Sequence, residues 1–123
     1  MKIELSRDLI RKLTFDLKPN GLQSNGKLKF EVNVAREAYF VFDQHRDAPV
    51  GFALKVASTK KVFVVQRKVA GRTVRSTLGD AIDLLSQHGL DGVRILAAQT
   101  ANQIRETKAN PSLSKQKPDF TLG

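Results

Sequence analysis

The 123-residue sequence has no cysteine and no tryptophan, and only one tyrosine, one methionine and two histidines. Without cysteine there is neither a disulfide nor a thiolate zinc site, and a cytoplasmic location is the expectation. No apolar run approaches the roughly 20 residues of a membrane-spanning helix. The opening MKIELSRD lacks the apolar core of a secretion signal. Imidazole chemistry is equally thin. His88 stands before Gly89, where a helix C-terminus favours it, and His45 sits in a polar loop beside Arg46. Asp43, His45 and Asp47 alternate, yet no further ligand cluster accompanies them, so no metal site is read. Asp80, Asp83 and Asp91 read as helix caps and surface acids rather than a catalytic carboxylate pair. No nucleophile–base arrangement and no glycine-rich phosphate loop is present. The expectation is a chain that does not catalyse on its own and carries no cofactor.

Negative charge is also scarce. Lys and Arg number 21 against 12 for Asp and Glu, a net charge of +9. Such a balance favours a polyanionic partner. The imbalance is concentrated in one stretch, GFALKVASTKKVFVVQRKVAGRTVRSTLG, from Gly51 to Gly79. It holds Lys55, Lys60, Lys61, Arg67, Lys68, Arg72 and Arg75 and no acid at all.

That stretch also carries the clearest strand pattern. Phe52, Leu54 and Val56 alternate with Ala53 and Lys55; Phe63 and Val65 alternate with Val64 and Gln66. Period-two alternation marks a strand with one buried face. Ala70-Gly71 marks a two-residue hairpin loop, and Ser58–Lys61 a second turn. A three-stranded antiparallel meander follows. Its expected register pairs Gln66 with Arg75, Val64 with Thr77, Phe63 with Leu78, Val56 with Phe63, Leu54 with Val65 and Phe52 with Arg67. Opposed residues share a face. One face then gathers Phe52, Leu54, Val56, Phe63, Val65, Val74 and Leu78. The other gathers Ala53, Lys55, Val64, Gln66, Lys68, Thr73, Arg75 and Thr77. Arg67 falls on the apolar side, which a place at the sheet margin with its head in solvent would accommodate.

The flanks complete an α+β fold. Ser6 is a plausible N-cap for a short helix carrying Leu9, Ile10, Leu13 and Leu17, ended by Pro19-Asn20-Gly21. Residues 20–27 read as a loop. KLKFEVNV, Lys27–Val34, alternates as an extra strand, and AYFVF, Ala38–Phe42, as another, so the sheet has three strands with candidates for a fourth and fifth. Asp80–His88 can form a short helix ended by Gly89. Leu90–Lys108 is a helix with Val93, Leu96, Ala97, Thr100, Ala101 and Ile104 on one face and Arg94, Gln99 and Asn102 on the other. It is expected to cover the apolar face of the sheet and leave the basic face open. Residues 1–111 read as one domain. Residues 112–123, SLSKQKPDFTLG, read as a linker and the cut start of a further domain.

A basic sheet face of small, apolar and cationic residues is suited to a DNA groove. Sheet elements enter the major groove, where Gln66 can bond adenine, Arg75 guanine, and Val64, Thr73 and Thr77 thymine methyls. Lys55, Lys60, Lys61, Lys68 and Arg72 are placed to neutralise phosphates.

These residues together resemble the N-terminal arm-type DNA-binding domain of phage and genomic-island integrases, a branch of the tyrosine recombinases. The resemblance rests on GFALKV, on KKVFVVQRKVAGRTVRSTLG with its Arg75-Ser76-Thr77-Leu78-Gly79, on Phe42-Asp43 with Pro49, on Val93-Arg94 near a helix start, and on Asn110-Pro111. It covers roughly Phe42 to Pro111. It implies a sheet that inserts in the major groove of arm-type sites, double-stranded DNA as partner, and core-binding and catalytic domains further along; other integrase subunits are a further candidate partner. The family's catalytic residues map to none of these positions, and Tyr39 is not its nucleophile. Two other readings stay open: a domain for protein–protein contact between recombinase subunits, and an RNA-binding α+β domain. None of the three involves a membrane.

Overall fold

The computed structural model describes residues 2–107, and the side chains of all of these except 22 and 105–107. The chain runs β1 (Lys2–Ile3), α1 (Arg7–Lys12), β2 (Leu17–Leu22), β3 (Leu28–Val32), β4 (Tyr39–Asp43), β5 (Phe52–Val56), β6 (Lys61–Val69), β7 (Arg72–Asp80) and α2 (Ala81–Thr107). The fold is α+β. A five-stranded sheet has the order β1-β4-β5-β6-β7, with β1 parallel to β4 and the rest antiparallel, and β2 and β3 form a separate two-stranded sheet. The expected linker and following segment, 112–123, and the domain end at Asn110-Pro111 lie outside the described residues.

The β6–β7 hairpin forms in the expected register from Val69/Arg72 through Gln66/Arg75 to Val64/Thr77. Its turn residues Ala70 and Gly71 both have positive φ, 52° and 80°. That is the backbone of a two-residue turn whose twist matches the strands. One bulge then shifts the pairing. Phe63 faces Gly79 rather than Leu78, which becomes the extra residue between Gly79 and Thr77. The β5–β6 hairpin is two residues tighter than expected. Ala57 N–H donates to the Lys60 carbonyl (2.9 Å), so Val56 faces Lys61, Leu54 faces Phe63 and Phe52 faces Val65. A shift of two preserves both faces, because side chains alternate with period two. It moves Lys61 out of the turn and onto the apolar face.

On that face lies the core. Phe52 and Phe63 stack at 5.3 Å between centroids, with Leu54, Val56, Val65 and Val41 fully buried around them. α2 covers these residues with Val93, Ala97, Ala101 and Ile104, as its apolar spacing requires. Small alanines on this stripe let helix and sheet approach closely. α2 is two helical stretches joined at Gly89, whose φ and ψ of 70° and 169° are not helical. Asp80 caps the first, accepting from the N–H groups of Ile82 (2.9 Å) and Asp83 (3.1 Å).

Two expectations for the flanks are corrected. Ser6 does cap α1, accepting from Leu9 N–H at 3.1 Å, but the helix stops at Lys12 and Leu17 is not part of it. Leu17–Leu22, expected as the helix end and a loop, is instead the strand that pairs with Leu28–Val32. Backbone pairing to LKFEV satisfies more groups there than another helical turn running into Pro19 would. Arg94, expected on the solvent face of α2, is 4% exposed.

Candidate functional site

α1 and α2 pack against the core face of the main sheet, which leaves the opposite face bare among the described residues. Strand pairing fixes what stands on that face. One row across the sheet reads Lys2, Phe42, Ala53, Val64, Thr77. The next reads Phe40, Lys55, Val62, Asp80, and on the other side come Gln66 opposite Arg75 and Lys68 opposite Thr73. The sole carboxylate at these positions is Asp80, already engaged as a helix cap.

The middle of the face is apolar and closed. Ala53, Val62 and Val64 form a small buried cluster with Phe40 and Phe42 packed against it. The Arg75 guanidinium lies 4.5 Å from the centre of the Phe40 ring and the Lys55 ammonium 6.0 Å from it. Phe40 is on β4 and Arg75 on β7, so the two side chains meet across β5 and β6 and roof Ala53 and Val64. A cation over an aromatic face is worth about 0.5–1 kcal/mol at an exposed site. Arg75 is anchored further by Gln66, whose side-chain carbonyl accepts from Arg75 Nε (3.2 Å) and Nη2 (2.9 Å).

The polar rim surrounds this centre. Lys68, Arg72, Thr73, Arg75 and Thr77 are exposed, Lys55 and Gln66 half-buried. Arg72 stands at the β6–β7 turn and exposed Lys60 at the β5–β6 turn, at opposite ends of the strands. Beyond Val65, the β6–β7 ribbon runs on past the end of β5, held there by Gln66 N–H to the Gly51 carbonyl at 2.9 Å. Arg67 sits at this margin as expected, its Nη1 donating to the Val50 carbonyl at 3.2 Å.

Two of the expected contact residues are not on the open surface. Val64 is 1% exposed, covered by its neighbours, so no methyl is available to a base. Lys61 points to the core face, where its ammonium donates to the Ile10 carbonyl (2.7 Å) and the Arg11 carbonyl (3.4 Å) at the C-terminal end of α1. There it satisfies helix carbonyls that have no partner of their own. Burial lowers its pKa below the usual lysine value.

The open face also carries residues that pattern reading passed over: Lys2, Phe40 and Phe42. The signal was present. In AYFVF both sides of the strand are apolar, Tyr39 and Val41 on one and Phe40 and Phe42 on the other, so β4 had to contribute hydrophobic surface to each face.

The polar loop holds no ligand cage. His45 Nδ1 accepts from Asp47 N–H at 3.0 Å, and no group of three or more His, Asp or Glu side chains is arranged for a metal among the described residues. No described helix is long and apolar enough to cross a membrane. Comparison with protein-family models, with curated proteins and with solved structures finds no match.

Proposed function

We propose that this chain binds double-stranded DNA sequence-specifically with its bare sheet face, as the arm-type module of a phage-type integrase that serves DNA integration and site-specific recombination. The carrying observation is that face itself. Lys2, Lys55, Lys68 and Arg75 stand on it, Arg72 is at its tip, and its lone carboxylate is committed to capping α2. The projecting β6–β7 ribbon is two strands wide, the width that the major groove admits. Phosphate contacts from the rim cations would set affinity and register, and Gln66, Arg75, Thr73 and Thr77 lie where base edges would pass. The reading assigns binding, not catalysis, to these residues.

The test is a titration of the chain against duplex DNA at several salt concentrations. About 4 phosphate contacts give a log–log slope near −3.6. Binding with no salt dependence would overturn the reading. Duplex RNA serves as the competitor, because its deep, narrow major groove excludes a sheet.

A second reading is contact with other protein subunits. It is favoured by the β2–β3 hairpin, where Leu17, Phe30 and Val32 are 45%, 43% and 65% exposed on one side of a two-stranded sheet. Exposed apolar surface of this kind marks interaction sites.

A further inference from the structure

Where the β6–β7 ribbon projects past β5, the corner between it and the β1–β4 margin is concave. The groove there has a volume of about 470 Å³. Its walls include Lys2, Phe42, Gln66, Arg67, Lys68 and Thr73. Three cations from two strands at opposite sides of the corner line one space, and no carboxylate among the described residues lines it.

The corner is built, not incidental. Gly51 forms part of its wall with φ +93°, and a Cβ there would lie 1.8 Å from the Gln66 carbonyl oxygen. Only glycine allows the β4–β5 connection to lie so close against β6. Val50, its neighbour in the chain, accepts a hydrogen bond from Arg67 Nη1 through its carbonyl, and both residues line the groove. The ammonium groups of Lys2 and Lys68 make no hydrogen bond or ion pair among the described residues, so both are available to a ligand. Like charges gathered without a counter-charge repel, and a bound anion relieves this. Half-buried Phe42 gives an apolar wall for a sugar ring.

We propose that this groove is a phosphate site that grips one phosphodiester of the DNA backbone, with Lys2 and Lys68 as its cations and Arg67 as a fixed third. The inference rests on the DNA-binding reading and extends the contact surface from the β5–β7 meander to β1. It assigns a nucleic-acid role to Lys2 and Arg67, which strand patterning alone leaves out. Because the lysines converge on one phosphate, their effects are coupled rather than independent.

The experiment compares the full chain with Lys2→Gln, Lys68→Gln and the double variant on a 20-base-pair duplex across a salt series. Both side chains are exposed, so thermal unfolding should be unchanged. The double variant is expected to lose about 0.9 of the log–log slope, the value of one neutralised phosphate. Each single variant should lose less, since the other lysine still holds the same phosphate. If the parent chain binds with a steep slope and the double variant keeps it, the groove is no phosphate site while the DNA reading stands. If the singles lose about 0.9 each and the double about 1.8, the lysines serve separate phosphates and the shared site is overturned. If the parent fails to bind duplex at any salt, the DNA reading itself falls, and this site with it. A parallel titration with thymidine monophosphate, followed at the backbone amides, separates the sources. Groove amides that respond to the mononucleotide while the duplex slope ignores both lysines would mark a free-nucleotide site and overturn the proposal.

Discussion

Arg94 and Asp43 form an ion pair at 2.8 Å between Nε and Oδ2 with both side chains withdrawn from water, 5% and 0% exposed. Arg94 belongs to α2 and Asp43 to the end of β4, and the pair gathers more than these two elements. Arg94 Nη2 donates to the Leu5 carbonyl at 3.1 Å, while Asp43 Oδ1 accepts from Leu5 N–H (3.1 Å) and His45 N–H (3.0 Å). Helix, sheet, N-terminal segment and β4–β5 loop therefore meet at one ion pair. Two pieces of sequence that stand 51 positions apart, Phe42-Asp43 and Val93-Arg94, are joined here.

Removing one partner of a buried pair leaves the other charge without compensation. Arg94→Ala is therefore expected to cost about 3–5 kcal/mol of folding stability. Arg94→Lys should also destabilise, because a point charge cannot reproduce the forked contact to carboxylate and carbonyl. Urea denaturation of each variant checks this. A midpoint shift within error for Arg94→Ala would show that the pair does not hold the helix to the sheet.

How much of this was legible in sequence depends on the kind of pattern each residue carries. The faces of β5, β6 and β7 were legible because two-residue alternation survives a two-residue change of register. The register of β5 against β6 was not, because Ser58, Thr59 and Lys60 are compatible with turns of more than one length. That ambiguity put Lys61 in the turn and hid its contact with α1. Arg94 was misread for a different reason. Helical spacing sorts residues by polarity, and a buried arginine looks like a surface one until its partner, distant in sequence, is known. β2 was missed because LKPNGL has neither alternation nor β-branched residues, and its strand conformation comes from pairing with β3.

Tyr39 offers a clean titration, since it is the only tyrosine and the chain has no tryptophan. Its hydroxyl donates to the Thr14 carbonyl at 2.6 Å, and burial pushes its pKa up to about 12 from 10.0. The folded pKa is raised, so the stabilisation is fully present below pH 10 and is lost as pH rises through about 12. Absorbance of the phenolate should show a midpoint near 12 in the folded chain and near 10 in denaturant. Coincident midpoints would contradict the burial. Tyr39→Phe should cost about 0.5–1.5 kcal/mol and abolish the alkaline drop in stability that belongs to this group.

Lys61 behaves in the opposite sense. Burial lowers its folded pKa below 10.5, so between the two values the unfolded chain binds more protons and stability rises with pH. Lys61→Gln removes that contribution. The difference in unfolding free energy between parent and variant should therefore grow with pH in the alkaline range below 10.5. The same variant should leave the salt slope of DNA binding unchanged, because its ammonium faces α1. A slope reduced by about 1 would return Lys61 to the phosphate contacts.

On the proposed DNA-binding reading, Arg75 and Gln66 decide whether the open face reads bases or only contacts phosphates. The Gln66 carbonyl holds Arg75 by two hydrogen bonds, and the guanidinium rests over Phe40. To bond an adenine edge bidentately, Gln66 must present both its carbonyl and its amide. With the carbonyl committed to Arg75, Gln66 offers mainly N–H donors, which suits base acceptors such as guanine O6 or N7. The two side chains are thus expected to act as one unit. Gln66→Ala should loosen Arg75, and Arg75→Ala should free the Gln66 carbonyl. Each single change is expected to cost about 1–3 kcal/mol on the preferred site and relax discrimination at one base pair. The double variant should cost clearly less than the sum, since residues in one hydrogen-bonded network couple by about 0.5–3 kcal/mol. Arg72→Ala, at the exposed turn, should instead weaken all sequences alike and lower the salt slope by about 1. The measurement is binding of the parent and the four variants to a panel of single-base-substituted duplexes at fixed salt, with the salt series repeated on one duplex. Additive losses for Gln66 and Arg75 would mean that the pair separates on binding and each side chain contacts its own base. Equal weakening of every duplex by Arg75→Ala would make Arg75 a phosphate contact and leave sequence selection to Thr73, Thr77 and the shape of the groove.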